Sequence, residues 1–192
     1  MRKLIVANII SLDGYYEGPG NDVMALPYHD AFDDYNAGRL RAAGTLLLGR
    51  GTYELFQGYW PSIADDPSKA PVEREISRLL NAIDKVVVSD TLTQARTAPW
   101  PNTEIVSRAD AHARVAKLKD APGKEILTFG SRTLWHDLLS AGLVDELHLM
   151  IGPAFLAGGT PVSADGSPVR LRLLESRPLP GRHLVLTRYA PA

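Results

Sequence analysis

From Leu4 to Ile10 the chain is apolar at every position but Asn8, a run short and β-branched enough to form a strand buried on both faces. Runs of the same kind recur at Thr45 to Leu48, Val86 to Val88, Ile126 to Phe129 and Leu147 to Ile151. Between them the apolar spacing lengthens to that of helices. Pro71 suits a first helical position, with Ile76, Leu79, Leu80 and Ile83 as the stripe behind it. Ser107 and Asp110 resemble a capping box ahead of Ala111, Val115 and Leu118, which share one helical face. A further helix from Ser131 to near Ala141 turns Leu134, Trp135, Leu138 and Leu139 inward, and Gly142 can close it in a left-handed conformation. Another covers Asp30 to Ala43.

Apolar strands alternating with amphipathic helices predict a mostly parallel sheet covered on both sides. The last third differs. Leu171 to Glu175 and His183 to Tyr189 are joined by a segment too short for a crossover helix, so they are expected to pair antiparallel at the sheet edge. The stretch from Tyr59 to Pro71, rich in Pro and Asp, reads as a long surface loop. Nothing on either side of it could fold alone, so 1–192 is expected to be one α/β domain.

Composition removes several classes of function. A chain of 192 residues, 45% hydrophobic, buries a real core without staples. With 21 basic and 22 acidic residues there is no global field to hold a polyanion, so nucleic acid is not an expected partner. The absence of cysteine removes disulfides, thiolate nucleophiles and thiolate metal sites. No apolar run approaches the ~20 residues of a membrane span, and no signal-peptide core is completed after Arg2 and Lys3. A cytoplasmic location is expected. The histidines His29, His112, His136, His148 and His183 lack ligand spacing, so no metal site is expected.

In an open α/β sheet, ligands bind beyond the carboxyl ends of the strands. Here those ends carry Ser11-Leu12-Asp13-Gly14, Gly49-Arg50-Gly51-Thr52, Ser89-Asp90-Thr91, Gly130-Ser131-Arg132-Thr133 and Gly152-Pro153. Glycine admits close approach of a ligand to the backbone, and hydroxyls donate to phosphate oxygens or cap the next helix. Strand-to-helix turns need such residues in any case. Arg50 and Arg132 are less readily explained, because each places a cation in the first turn of a helix, where the macrodipole is already positive. A diphosphate between the two turns, held by helix-end N–H groups of Thr52 and Thr133, would reverse that sign; the alternative is that both arginines point into solvent. Tyr15, Tyr16, Tyr53, Tyr59 and Trp60 gather near these turns and could wall a pocket for a flat ring, although Tyr53 suits the core better.

Leu46-Leu47-Leu48-Gly49-Arg50-Gly51-Thr52-Tyr53-Glu54 resembles the strand, turn and helix of dihydrofolate reductases. Thr128 to Leu134, Leu138 to Leu147, Ser11 to Gly14 and Gly158 to Pro161 are similar to the reductase (C-terminal) domain of riboflavin-biosynthesis deaminase-reductase proteins. The resemblance implies a dihydrofolate-reductase-like three-layer αβα sandwich whose mixed, mostly parallel sheet ends in an antiparallel hairpin. It implies a reductase that transfers hydride from NADPH to a small planar heterocycle, either a dihydrofolate-like pterin or a 5-amino-6-ribosylaminouracil-like pyrimidine. The rival reading is a dinucleotide-binding sensor of the same fold without turnover. Carried over, Gly49, Arg50 and Thr52 contact the diphosphate and phosphorylated ribose, Ser89 the adenosine half, and Gly130, Ser131, Arg132 and Thr133 the central phosphates. Leu12, Asp13 and Gly14 sit over the nicotinamide. Relatives of the riboflavin type also suggest a homodimer.

Three departures qualify this. Asp90 follows Ser89 where relatives offer serine or a base to the 2′-phosphate, which leaves NADH open as the cofactor. These 192 residues carry no zinc-deaminase motif, so the deaminase step is not expected of them. The acid that dihydrofolate reductases carry before the Gly-Arg turn falls on Asp33 by count, with Asp30 and Asp34 beside it, and a solvated acidic first turn explains all three equally. Asp13, directly or through water, is the expected proton donor, with Asp33 behind it; such an acid needs its pKa raised by apolar surroundings.

Overall fold

The computed structural model describes the chain except Pro27, His29, 164–167 and the side chain of Arg182. The strands are β1 (Leu4–Ile10), β2 (Tyr15–Glu17), β3 (Ala43–Gly49), β4 (Asp84–Val88), β5 (Thr103–Val106), β6 (Glu125–Phe129), β7 (Glu146–Ile151), β8 (Thr160–Pro161), β9 (Leu171–Pro178) and β10 (Val185–Pro191). The helices are α1 (Asp30–Ala42), α2 (Arg50–Tyr59), α3 (Pro71–Ala82), α4 (Ala111–Asp120) and α5 (Arg132–Ser140). One sheet runs in the order β5-β4-β3-β6-β1-β7-β10-β9, and β2 pairs with β8 apart from it. Every pair from β5 to β7 is parallel, while β10 lies antiparallel to both β7 and β9.

The two-residue period of β1 builds both cores. Leu4 and Val6 enter a cluster with Val115 of α4 and Leu134 and Leu138 of α5. Ile5 and Ala7 enter another with Leu40 of α1, Tyr53 of α2, and Ile76 and Leu80 of α3. The sheet is therefore sandwiched between two helical layers, as the apolar runs predict. Helix α5 ends as Gly142 anticipates: at φ 70° it lets the Leu143 N–H reach Leu138 O and its own N–H reach Leu139 O.

Local differences have local causes. The stretch from Tyr59 to Pro71 is only partly loop, because Trp60–Asp65 winds into a 3₁₀ turn that buries Ile63. Ser107 and Asp110 do bond each other, but they close a turn that precedes α4. Strand β5 is absent from the expected runs, since Thr103 and Glu104 leave it only Ile105 and Val106 as apolar residues.

At the amino-terminal ends of the strands, Glu146 accepts from Lys3 Nζ at 2.7 Å and from Arg188 Nη2 at 2.6 Å, and lies 2.9 Å from His148 Nε2. His148 is fully buried, with Nδ1 at 2.7 Å from the Tyr35 hydroxyl of α1. It is thus a strand residue facing a helix, fastening α1 to β7. Burial pushes the Glu146 carboxyl up, but the hydrogen bonds from Lys3, Arg188 and His148 outweigh it and hold the pKa at about 2. Burial pushes His148 down to about 4, only partly offset by Glu146.

Both shifts make the unfolded chain bind more protons than the folded one on the acid side. Their stabilisation is complete above the ordinary histidine value of 6.5 and is lost as pH falls, first through His148 and then through Glu146. Asp33, whose carboxyl is raised to about 6, titrates in the opposite sense over the same range. In an Asp33→Asn background, urea midpoints are accordingly expected to drop between pH 7.5 and pH 4.5; a midpoint constant across that range in that background would contradict this account of the cluster.

Candidate active site

Strand β6 leads into α5 on one side of the sheet, whereas its neighbours β3 and β1 lead into α2 and α1 on the other. Chain departures to opposite sides open a crevice at the carboxyl ends of such strands. The register shows where it opens: β1 pairs with β6 only as far as Ala7 and Phe129, yet continues beside β7 to Ile10 and Ile151.

Two glycine-led turns meet at this crevice. The Gly49 N–H donates to Ser131 Oγ at 3.0 Å, and the Ser131 N–H donates to Thr52 Oγ1 at 2.8 Å. The Arg50 and Arg132 turns are therefore neighbours on one rim. Gly130 (φ 55°) and Ser131 (φ 54°) are consecutive left-handed residues. A Cβ on Gly130 would lie 2.7 Å from Thr52 Oγ1 and 3.1 Å from the Tyr16 hydroxyl, so only glycine fits. Helices α2 and α5 both begin without a side-chain cap, and a Cβ at Gly51 would meet nothing within 4 Å. Two open helix amino termini, with Thr133 exposed in the first turn of one, converge on one spot. That arrangement suits an anion.

The arginines divide their work. Arg50 is half exposed, its Nη1 at 3.0 Å from Thr91 Oγ1. Arg132 donates instead to the carbonyls of Pro161 and Ser163, which corrects the expectation of two guanidinium groups facing one anion. Loop carbonyls on its other side are the nearer acceptors. Ser89, which accepts from the Thr91 and Leu92 N–H groups, shapes the next turn. Asp90 accepts from the Arg108 N–H at 2.8 Å and has the Arg108 guanidinium 3.5 Å away. The carboxylate expected to repel a 2′-phosphate thus has a cation beside it. Sequence reasoning missed Arg108 because it follows β5, the strand the pattern did not reveal.

Asp13 takes a different part from the proton donor expected of it. Its carboxylate accepts from Ser11 Oγ at 2.6 Å, Leu156 N at 3.1 Å and Ala157 N at 2.9 Å. The Ser11 hydroxyl and these backbone donors hold its pKa below the usual carboxylate range, the opposite of what an acid catalyst needs. With Leu12 N bonded to Ala154 O and Val162 N to Gly14 O, Asp13 fastens two loops across the mouth of the site. Asp13→Asn is expected to raise KM and speed amide exchange over 152–162 while leaving the pH profile of kcat unmoved. A displaced profile would restore Asp13 as the acid.

Of the three acids on α1, Asp30 and Asp34 are exposed and Asp33 is half-buried. Burial raises the Asp33 pKa to about 6, reinforced by the negative charges of Glu73, Asp30 and Asp34. Tyr28 is within electrostatic reach of both Asp33 and Tyr16, and the Tyr16 hydroxyl stands over Gly130. Burial also pushes the Tyr16 hydroxyl up, so it stays a neutral donor. Tyr53 is a core residue, fully buried. Among the described residues no group of three or more His, Cys, Asp or Glu is placed to hold a metal, and no helix is long and apolar enough to cross a membrane.

The model of the RibD C-terminal domain family matches residues 2–185. The chain belongs to that family. The uncharacterized protein YyaP of Bacillus subtilis (strain 168) is 30% identical over 179 residues, covering 92% of this chain and 88% of its own. Among solved structures, a putative riboflavin biosynthesis protein from Shewanella sp. PV-4 superposes with a TM-score of 0.71 at 19% identity, covering 99% of each chain. The diaminohydroxyphosphoribosylaminopyrimidine deaminase/5-amino-6-(5-phosphoribosylamino)uracil reductase of Thermotoga maritima gives 0.65 at 13% identity, and this chain spans 57% of it. Dihydrofolate reductase from Enterococcus faecalis, complexed with NADP(H) and RAB-propyl, gives 0.60 at 14% identity, covering 98% of this chain and 96% of that one. This RibD C-terminal domain therefore has the dihydrofolate-reductase-like fold.

Proposed function

We propose that this chain is a reductase that uses NADPH to deliver a hydride to a small planar heterocycle. The observation that carries the reading is the joined pair of glycine turns: two uncapped helix amino termini, Arg50 and a Gly130 that tolerates no Cβ, gathered where β6 and β1 part. This donor set suits a dinucleotide's diphosphate, with N–H groups for the oxygens and a guanidinium for the charge. Arg50 and Arg108 flank the Ser89–Thr91 turn and favour the phosphorylated ribose of NADPH over the bare ribose of NADH. When bound, the nicotinamide supplies the hydride.

The chain's own residues do the rest. The turns at Gly49 and Gly130 fix one partner, the loops clasped by Asp13 shut out water, and α1 brings Asp33 to the other partner. Protonated Asp33 donates the proton that reduction of a C=N or C=O bond requires, its pKa lying close enough to neutrality for both forms to be populated.

The test is the loss of 340-nm absorbance when NADPH and protein meet dihydrofolate or 5-amino-6-ribosylaminouracil. Oxidation with either supports the reductase. Binding of NADPH without oxidation by any pterin or pyrimidine would replace this reading with a dinucleotide sensor.

A further inference from the structure

One side chain aimed at the glycine turns belongs to neither of them. Strand β2, paired antiparallel with β8, forms a two-stranded flap apart from the main sheet. The flap is fastened to α5, where Arg132 donates to the carbonyls of Pro161 and Ser163 and His136 Nε2 lies 2.6 Å from the Val162 carbonyl oxygen. Its own two halves are joined by Val162 N to Gly14 O at 2.8 Å and Thr160 Oγ1 to Glu17 Oε1 at 2.7 Å. Successive strand residues point to opposite sides, and Tyr16 is the one that reaches the turns. A Cβ on Gly130 would lie 3.1 Å from the Tyr16 hydroxyl and 2.7 Å from Thr52 Oγ1, so the two hydroxyls flank the space that this glycine leaves.

The Tyr16 hydroxyl makes no hydrogen bond with a described residue, and it is not among the unpaired polar atoms sealed inside the protein. Tyr16, Thr52, Gly130 and Ser131 all keep accessible surface, so a ligand can reach the space between them. The other hydroxyls here also have protons to give. Ser131 Oγ accepts the Gly49 N–H and Thr52 Oγ1 accepts the Ser131 N–H, and neither acceptance uses the hydroxyl's own proton. Burial keeps the Tyr16 phenol protonated. Arg132 and Glu17 are both within electrostatic reach of it; Arg132 keeps its positive charge although loop carbonyls take its N–H groups, and the Glu17 carboxylate accepts from Thr160.

We infer that Tyr16 is a cofactor-binding residue, whose hydroxyl donates from the flap to the diphosphate of the dinucleotide seated on the glycine turns. This rests on the reductase reading and deepens it, by adding a third element of the fold to the same seat. A donor held in place by the flap's ties to α5 has little freedom left to lose on binding. A hydrogen bond to a charged phosphate oxygen is about twice as strong as one between neutral groups.

Tyr16→Phe removes one oxygen and leaves the ring. Calorimetric titrations of NADPH and of 2′-phospho-ADP-ribose, which keeps the diphosphate but lacks the nicotinamide, test the assignment. Both ligands are expected to bind the variant about tenfold more weakly than wild type, and the rise in melting temperature that NADPH produces should shrink accordingly. Without ligand the variant should melt with the wild type, since the lost oxygen bonds to no described residue. Unchanged affinity for both ligands overturns the inference. So does a loss confined to NADPH, which would move the contact to the nicotinamide. Failure of the underlying reading shows separately: wild-type protein that binds neither ligand overturns the dinucleotide seat and the inference with it.

Discussion

Replacing Asp33 by Asn is expected to lower kcat by about 100- to 10,000-fold, the usual loss when a positioned general acid is removed. In the wild-type protein the proton-donating form of Asp33 is populated up to a pKa of about 6 and depleted above it. kcat should therefore decline as pH rises through that value, and the variant should lose the decline along with the rate. Stability moves the other way. A carboxyl whose pKa is raised by folding opposes folding once it ionises, so Asp33→Asn should melt no lower than wild type at pH 8 and should melt higher if the burial cost dominates. An inactive variant of undiminished stability cannot be dismissed as misfolded. Retention of the wild-type pH profile would remove Asp33 from the chemistry.

Gly130→Ala carries the second large effect, this time on the cradle. Alanine at φ 55° costs about 1–2 kcal/mol in backbone strain alone. Its Cβ would also press on Thr52 Oγ1 from 2.7 Å and displace the side chain that accepts the Ser131 N–H. The two turns would separate, and NADPH affinity should fall by at least tenfold, about 1.4 kcal/mol. Gly51→Ala is the control for folding. Its Cβ would meet nothing within 4 Å, and alanine favours a helix over glycine by about 1 kcal/mol, so its melting temperature should hold or rise. A Gly130→Ala protein that binds NADPH normally would show that the turn's shape is not what the dinucleotide reads.

The framework of this fold is written in periodicity because burial imposes it. β1 feeds two cores with alternate residues, and α5 presents Leu134, Leu138 and Leu139 at helical spacing, so each pattern names its own partner surface. Gly142 was legible for a related reason, as a helix that closes in a left-handed conformation favours glycine there; Ser131, left-handed without being glycine, gave no such signal. Side-chain direction was not legible, because it depends on acceptors distant in sequence. Arg132 turns to carbonyls 29 and 31 residues away, and Asp13 to N–H groups more than 140 residues away. Choosing among Asp30, Asp33 and Asp34 required knowing which face of α1 lies under cover, and three acids within five residues do not state it. Arg108 stayed hidden behind β5, a strand whose place in the sheet is secured by pairing with β4 rather than by its own composition.

In the proposed reductase the Gly49 and Gly130 turns, with Arg50 and Arg108 beside them, form the seat for NADPH. Parallel calorimetric titrations of NADPH and NADH into the wild-type, Arg50→Ala and Arg108→Ala proteins test it directly. The account predicts one site that prefers NADPH, with each substitution weakening NADPH about tenfold or more, as expected for a lost charge-assisted hydrogen bond, and NADH much less. Absence of any binding heat, or NADPH affinity indifferent to both arginines, would contradict it.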